Sequence, residues 1–142
     1  MSKKQSLLSG RIRGWAERDM KLSSENILPA LRETLERRSE ILFAYIFGSF
    51  VEESRFRDLD VGVFLTDPAL VAENITYTIR LSRELEERTG YPVDVILMNS
   101  APDHLIHSIS KGKALVDQDA EFRVDWIVRS WKRYFDIQPK RR

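Results

Sequence analysis

Residues 44–65 read AYIFGSFVEESRFRDLDVGVFL, and the fold turns on how this stretch is read. An apolar run from Ile41 to Phe47 stops at Gly48-Ser49, and after a short polar excursion a second apolar run opens with Asp58-Leu59-Asp60. The pattern predicts two strands joined by a compact loop with two carboxylates at its mouth. Successive side chains of a strand alternate faces, so Asp58 and Asp60 project from one face while Leu59, Val61 and Val63 point to the other. Two carboxylates that close repel each other, which calls for a cation between them. Magnesium is the natural candidate, because it takes oxygen ligands and is usually held by one or two carboxylates together with substrate phosphates. The preceding loop suits phosphates: Gly48 lets the backbone pass close to a ligand, and Ser49 offers a hydroxyl where the chain turns into a helix start. Further along that loop, Arg55 or Arg57 is a source of positive charge to set against Glu52 and Glu53.

Outward toward the C-terminus, Asp67-Pro68 predicts a turn, followed by a long helix from about Leu70 to Arg88. Val71, Ile75 and Ile79 form one apolar row of that helix, with Tyr77, Leu81 and Leu85 beside it, so a broad buried face is expected. Gly90 is placed to cap it. Tyr91 to Leu97 then reads as an apolar strand interrupted by a single acid, Asp94. An aspartate in so apolar a strand is costly unless it is paired, exposed at an end or bound to metal, and we take it as a third metal carboxylate. A short helix through Leu105, Ile106 and Ile109 and a last helix from about Ala120, bearing Phe122, Trp126, Ile127, Trp131, Tyr134 and Phe135, complete the chain. Toward the N-terminus, a helix beginning at Ser23 or Ser24 carries Leu28, Leu31 and Leu35, with Pro29 in its first turn or bending it.

A chain of 142 residues with 42% hydrophobic content supports one core and one domain. We assign that domain to residues 23–139, flanked by a basic extension over 1–22 and a basic tail over 140–142. Leu8, Ile12, Trp15 and Met20 could form a short helix within the extension, weakened by Gly10 and Gly14. Solvated ends are the simpler reading of both charged segments. No apolar run approaches the roughly 20 residues needed to span a membrane, and no signal-peptide core follows Lys3-Lys4, so a cytoplasmic location is expected. The absence of cysteine removes disulfides, thiolate metal sites and cysteine nucleophiles. A net charge of +1 gives no global reason to expect nucleic-acid binding. His104 and His107 stand three apart on a helix, but with no third ligand nearby they read as surface or packing histidines. The aromatic residues of the last helix read as core or interface.

A strand ending in Gly48-Ser49, then Asp58-x-Asp60 opening the next strand, then Asp94 on a later one, resembles the nucleotidyltransferase superfamily typified by DNA polymerase beta and kanamycin nucleotidyltransferase. The small size points to its minimal nucleotidyltransferase (MNT) branch, the antitoxin half of HEPN/MNT toxin–antitoxin pairs. The resemblance implies that Gly48 and Ser49 contact the nucleotide triphosphate and that Asp58, Asp60 and Asp94 bind two magnesium ions. It implies ATP as donor and a tyrosine of a HEPN toxin as acceptor of AMP. The implied architecture is an α/β fold with a small mixed sheet of about four strands, helices packed on one side and the metal site at a sheet edge. Two other readings stay open: a binding module that neutralises a partner nuclease by contact alone, and a nucleotidyltransferase acting on a small molecule such as an aminoglycoside. Self-association is also left open.

Overall fold

The computed structural model describes residues 21–53 and 55–137. The expected helix before Met20 and the basic tail lie outside them. The elements follow in order as α1 (Ser24–Glu36), β1 (Ile41–Phe47), α2 (Ser49–Glu52), β2 (Leu59–Leu65), α3 (Pro68–Ala72), α4 (Asn74–Thr89), β3 (Val93–Leu97), a 3-10 turn (Met98–Ser100), α5 (Asp103–Ser110), β4 (Lys113–Asp117) and α6 (Ala120–Ile137). The strands form one four-stranded sheet in the order β3-β2-β1-β4. β1 pairs antiparallel with β2, to which a short connection joins it, and with β4, which returns from far along the chain, whereas β2 and β3 run parallel. A parallel pair needs a crossover, and α4 supplies it.

One face of the sheet presents Ala44, Ile46, Leu59, Val61, Val63, Val93 and Val95 to Ile27, Leu31 and Leu35 of α1 and to Tyr77, Leu81 and Leu85 of α4. The opposite face carries Phe43 and Tyr45 against Met98 and against Ile106 and Ile109 of α5, with Trp126 and Ile127 of α6 beside them. The mixed sheet is as expected, but helices cover both of its faces where the sequence suggested one. The unbroken apolar run of β1, ILFAYIF, records this directly, since a central strand buried on both sides has no polar face to show. On the outer layer, Arg133 pairs with Asp103 of α5, and Arg123 with Asp117 of β4, tying α6 to the sheet. Among the described residues no helix is long and apolar enough to cross a membrane.

The long helix expected after Asp67 is divided. Asp67 caps α3 by accepting from the Ala69 amide at 2.9 Å, and the chain breaks at Glu73, whose φ of −102° and ψ of 39° leave the helical region. Gly90 ends α4 in the left-handed conformation at φ 82°, as a glycine cap should. Of the two apolar rows on α4, only one is buried: Leu81 is 1% exposed, whereas Ile79 is 48% and Ile75 is 73% exposed. Anchoring at Tyr77, whose hydroxyl donates to Glu40 at 2.9 Å, turns the Tyr77-Leu81-Leu85 row inward and leaves the other facing out. We therefore expect Leu81→Ala to cost about 2–5 kcal/mol in urea denaturation. Ile79→Ala should stay within about 0.5 kcal/mol of the parent, and equal costs at the two positions would contradict this orientation.

Candidate functional site

The C-terminal end of β1 and the N-terminal ends of β2 and β3 meet at one end of the sheet, and the acidic residues stand there. Asp60 on β2 is in register with Phe47 of β1 on one side and with Asp94 of β3 on the other. Residues paired across neighbouring strands point to the same face, so Asp60 and Asp94 stand side by side, with Asp58 in the turn just before β2. Register is fixed locally by the Leu59 amide, which donates to the Pro92 carbonyl at 2.9 Å. Asp58 and Asp94 are exposed and Asp60 is half-buried. Asp94 thus escapes the cost of an acid in an apolar strand by lying on the solvent side of an edge strand.

Burial, and then the negative charges of Asp58 and Asp94, raise the Asp60 carboxyl above the ordinary aspartate value. A raised carboxyl binds its proton more readily in the folded than in the unfolded chain, so the ionised group opposes folding and the opposition grows as pH rises through the shifted value. We expect Asp60→Asn to raise Tm at pH 7 in cation-free buffer. The gain should shrink as pH falls toward about 4, the ordinary aspartate range, and it should also shrink when magnesium is added to the wild type. Thermal melts across pH check this; a Tm lowered by the substitution at pH 7 would contradict it.

Among the described residues no three acids or histidines converge closely enough to form a ready chelate. The acids lie close enough for their charges to act on one another without being gathered around a common point. Three carboxylates near one end of the sheet, the half-buried one destabilised by burial and then by its neighbours, nonetheless offer oxygen donors of the kind a hard divalent cation takes.

Gly48 closes the other side. Its φ of 82° and ψ of −153° fall in a region open essentially to glycine, and a Cβ there would run into Asp60 Oδ2. The chain thereby carries Ser49, the first residue of α2, past the acids. Ser49 and Asp58 share a cavity of about 720 Å³ with Glu53, Arg55, Phe56, Arg57 and Tyr91. That volume lies within the roughly 300–1,000 Å³ of small-molecule sites. A hollow of similar size, about 710 Å³, runs along α6 between Tyr45, Ile127 and Trp131; it includes none of the three acids, so its size alone does not mark the chemistry. His107 packs among Trp131, Tyr134 and Phe135 at ring distances of 4.3, 4.8 and 5.6 Å, the packing role expected of it.

Sequence reasoning missed the aromatic support under the cavity. Phe56 packs edge-on against Phe50 at 4.7 Å and against Tyr91 at 5.1 Å. Phe56 and Tyr91 are far apart along the chain and only the β2–β3 pairing brings them together, so no local signal could have revealed the contact.

The sequence model of the family described as "Polymerase beta, Nucleotidyltransferase" matches residues 30–121. The chain belongs to this nucleotidyltransferase family. The matched segment contains Gly48, Ser49, Asp58, Asp60 and Asp94. No curated protein matches the chain significantly. Among solved structures, the nucleotidyltransferase fold seen here is similar to that in a complex of tri-AMPylated Shewanella oneidensis HEPN toxin with MNT antitoxin, at TM-score 0.65 and 19% identity over 82% of this chain and 90% of that one. It is also similar to a chain of a toxin–antitoxin structure with AMP-PNP, at TM-score 0.62 and 22% identity over 82% and 90%. A MntA–HepT toxin–antitoxin structure matches at TM-score 0.58 and 21% identity over 81% and 86%.

Proposed function

We propose that this nucleotidyltransferase is an antitoxin that transfers AMP from ATP to a hydroxyl, that of a tyrosine, on a partner HEPN toxin. One observation carries the reading: a fold shared with the MNT antitoxin of a complex whose HEPN toxin is tri-AMPylated, with an Asp-flanked Asp60 at the end of the sheet. The acceptor oxygen attacks the α-phosphorus of ATP, the bond to the β-phosphate oxygen breaks, and pyrophosphate departs. Asp94, exposed on the edge strand, accepts the proton from the attacking hydroxyl. Ser49 orients the phosphates, and Gly48 keeps the backbone close enough for it to do so. Asp58, Asp60 and Asp94 would hold two magnesium ions, which supply charge neutralisation of the phosphates when bound. Positioning and charge are sufficient for the transfer, with no covalent enzyme intermediate.

The test is transfer from ATP, with magnesium, to the partner toxin, using label in the α-phosphate in one reaction and in the γ-phosphate in another. Label retained from the α position only, at substoichiometric amounts of this chain, is the expected result. Retention of γ label would mean phosphoryl transfer. No retention, with the toxin silenced one-for-one, would mean neutralisation by contact.

A further inference from the structure

The acids that suit this site to a cation make it hostile to a polyphosphate. Asp58 and Glu53 stand in the cavity wall itself, with Asp60 and Asp94 beyond, so an incoming triphosphate meets several like charges. A counter-charge from the protein is needed beyond any cation held by the acids. Arg55 and Arg57 line the same cavity as Ser49 and Asp58. Outside the cavity, Arg38 pairs with Glu40 and Glu84, Arg88 with Glu33, Arg123 with Asp117 and Arg133 with Asp103, whereas Arg80 and Arg83 take part in no ion pair among the described residues but do not line the cavity. Among the described residues, neither Arg55 nor Arg57 takes part in an ion pair.

The segment that carries them is also anchored. Phe56 lies between them in the chain, and its ring is held by Phe50 and Tyr91 and packs on the main core. The backbone that carries both guanidinium groups is thereby anchored while the groups themselves stay exposed at the cavity. Tyr91 in turn carries Lys21 Nζ 4.9 Å from its ring centroid. Guanidinium groups present a planar fork of donors that matches phosphate oxygens, and anchoring the backbone that carries them lowers part of the entropy lost on binding.

We propose that Arg55 and Arg57, anchored through Phe56, form the polyphosphate subsite of this chain and make it select a nucleoside triphosphate over a monophosphate. The two arginines take the oxygens of the β- and γ-phosphates, the part of the donor that leaves as pyrophosphate. Phe56 is a positioning residue that touches no phosphate. This assignment rests on the nucleotidyl-transfer reading given above.

Equilibrium binding of ATP and of AMP, with magnesium, is measured for the wild type, Arg55→Ala/Arg57→Ala, Arg55→Lys/Arg57→Lys and Phe56→Ala, at low and high salt, with α-label transfer followed in parallel. The double alanine variant should bind ATP at least about tenfold more weakly while AMP affinity changes by less than about twofold. Its ATP affinity should also depend less on salt than that of the wild type. The lysine variant should recover part of the loss, and Phe56→Ala should weaken ATP more than AMP. Unchanged ATP affinity in the double alanine variant overturns the proposal, as does equal weakening of ATP and AMP, which would mean that the loop has collapsed. A wild type that binds ATP in preference to AMP through these arginines yet transfers no label would sink the transfer reading and leave the subsite standing.

Discussion

The Asp58→Asn/Asp60→Asn double variant should transfer α label to the partner at no more than about a thousandth of the wild-type rate, the effect of losing several kcal/mol of transition-state stabilisation. The two substitutions remove the negative charge of Asp58 and Asp60 and leave side-chain shape nearly intact. Because ionised Asp60 is held in a partly buried position beside Asp58 and Asp94, the variant should melt no lower than the wild type in cation-free buffer. A variant both inactive and fully folded separates chemistry from architecture. The same pair of measurements tests the contact-only alternative, in which the double variant would neutralise the toxin as well as the parent. Single-turnover label transfer and thermal melts on one preparation are sufficient to decide.

Gly48→Ala should damage stability and activity together. Its backbone, at φ 82° and ψ −153°, would carry a strain of about 1–3 kcal/mol with any side chain. The new Cβ would also press on Asp60 Oδ2 and displace that carboxylate from its place between Phe47 and Asp94. We expect a lower urea midpoint together with label transfer reduced by at least about a hundredfold, since small displacements of a reacting constellation are costly. Adding Asp60→Asn should restore little of the stability, because an asparagine meets the same Cβ. Full activity in Gly48→Ala would show that the approach of this backbone to Asp60 is incidental.

Particular residues show where legibility ended. The strand around Asp58-x-Asp60, the strand bearing Asp94 and the glycine cap at Gly90 were readable because alternation, apolar runs and turn chemistry are local properties of the chain. The division of the long helix at Glu73 was not, because Asp67-Pro68 starts a helix equally well whether one turn or many follow. Ile75 and Ile79 looked as apolar as Leu81, and periodicity alone ranks them together. Which row faces inward was settled by the packing of α1 and the Tyr77–Glu40 hydrogen bond. Coverage of the second sheet face by α5 and α6 likewise depended on where the chain returned after β3.

The sequence by itself determined which residue types stand on strands, which faces they take, and that Gly48 and Ser49 precede an acidic pair, because these follow from spacings of one or two residues. Tertiary structure alone decided that Asp60 is flanked by Phe47 and Asp94, that its carboxyl is raised by burial and then by its neighbours, and that Arg57 and Tyr91 share one cavity. The physical reason is strand order: a parallel β2–β3 pair reached through a helical crossover brings together residues distant in the chain, and their charges act through space rather than along it.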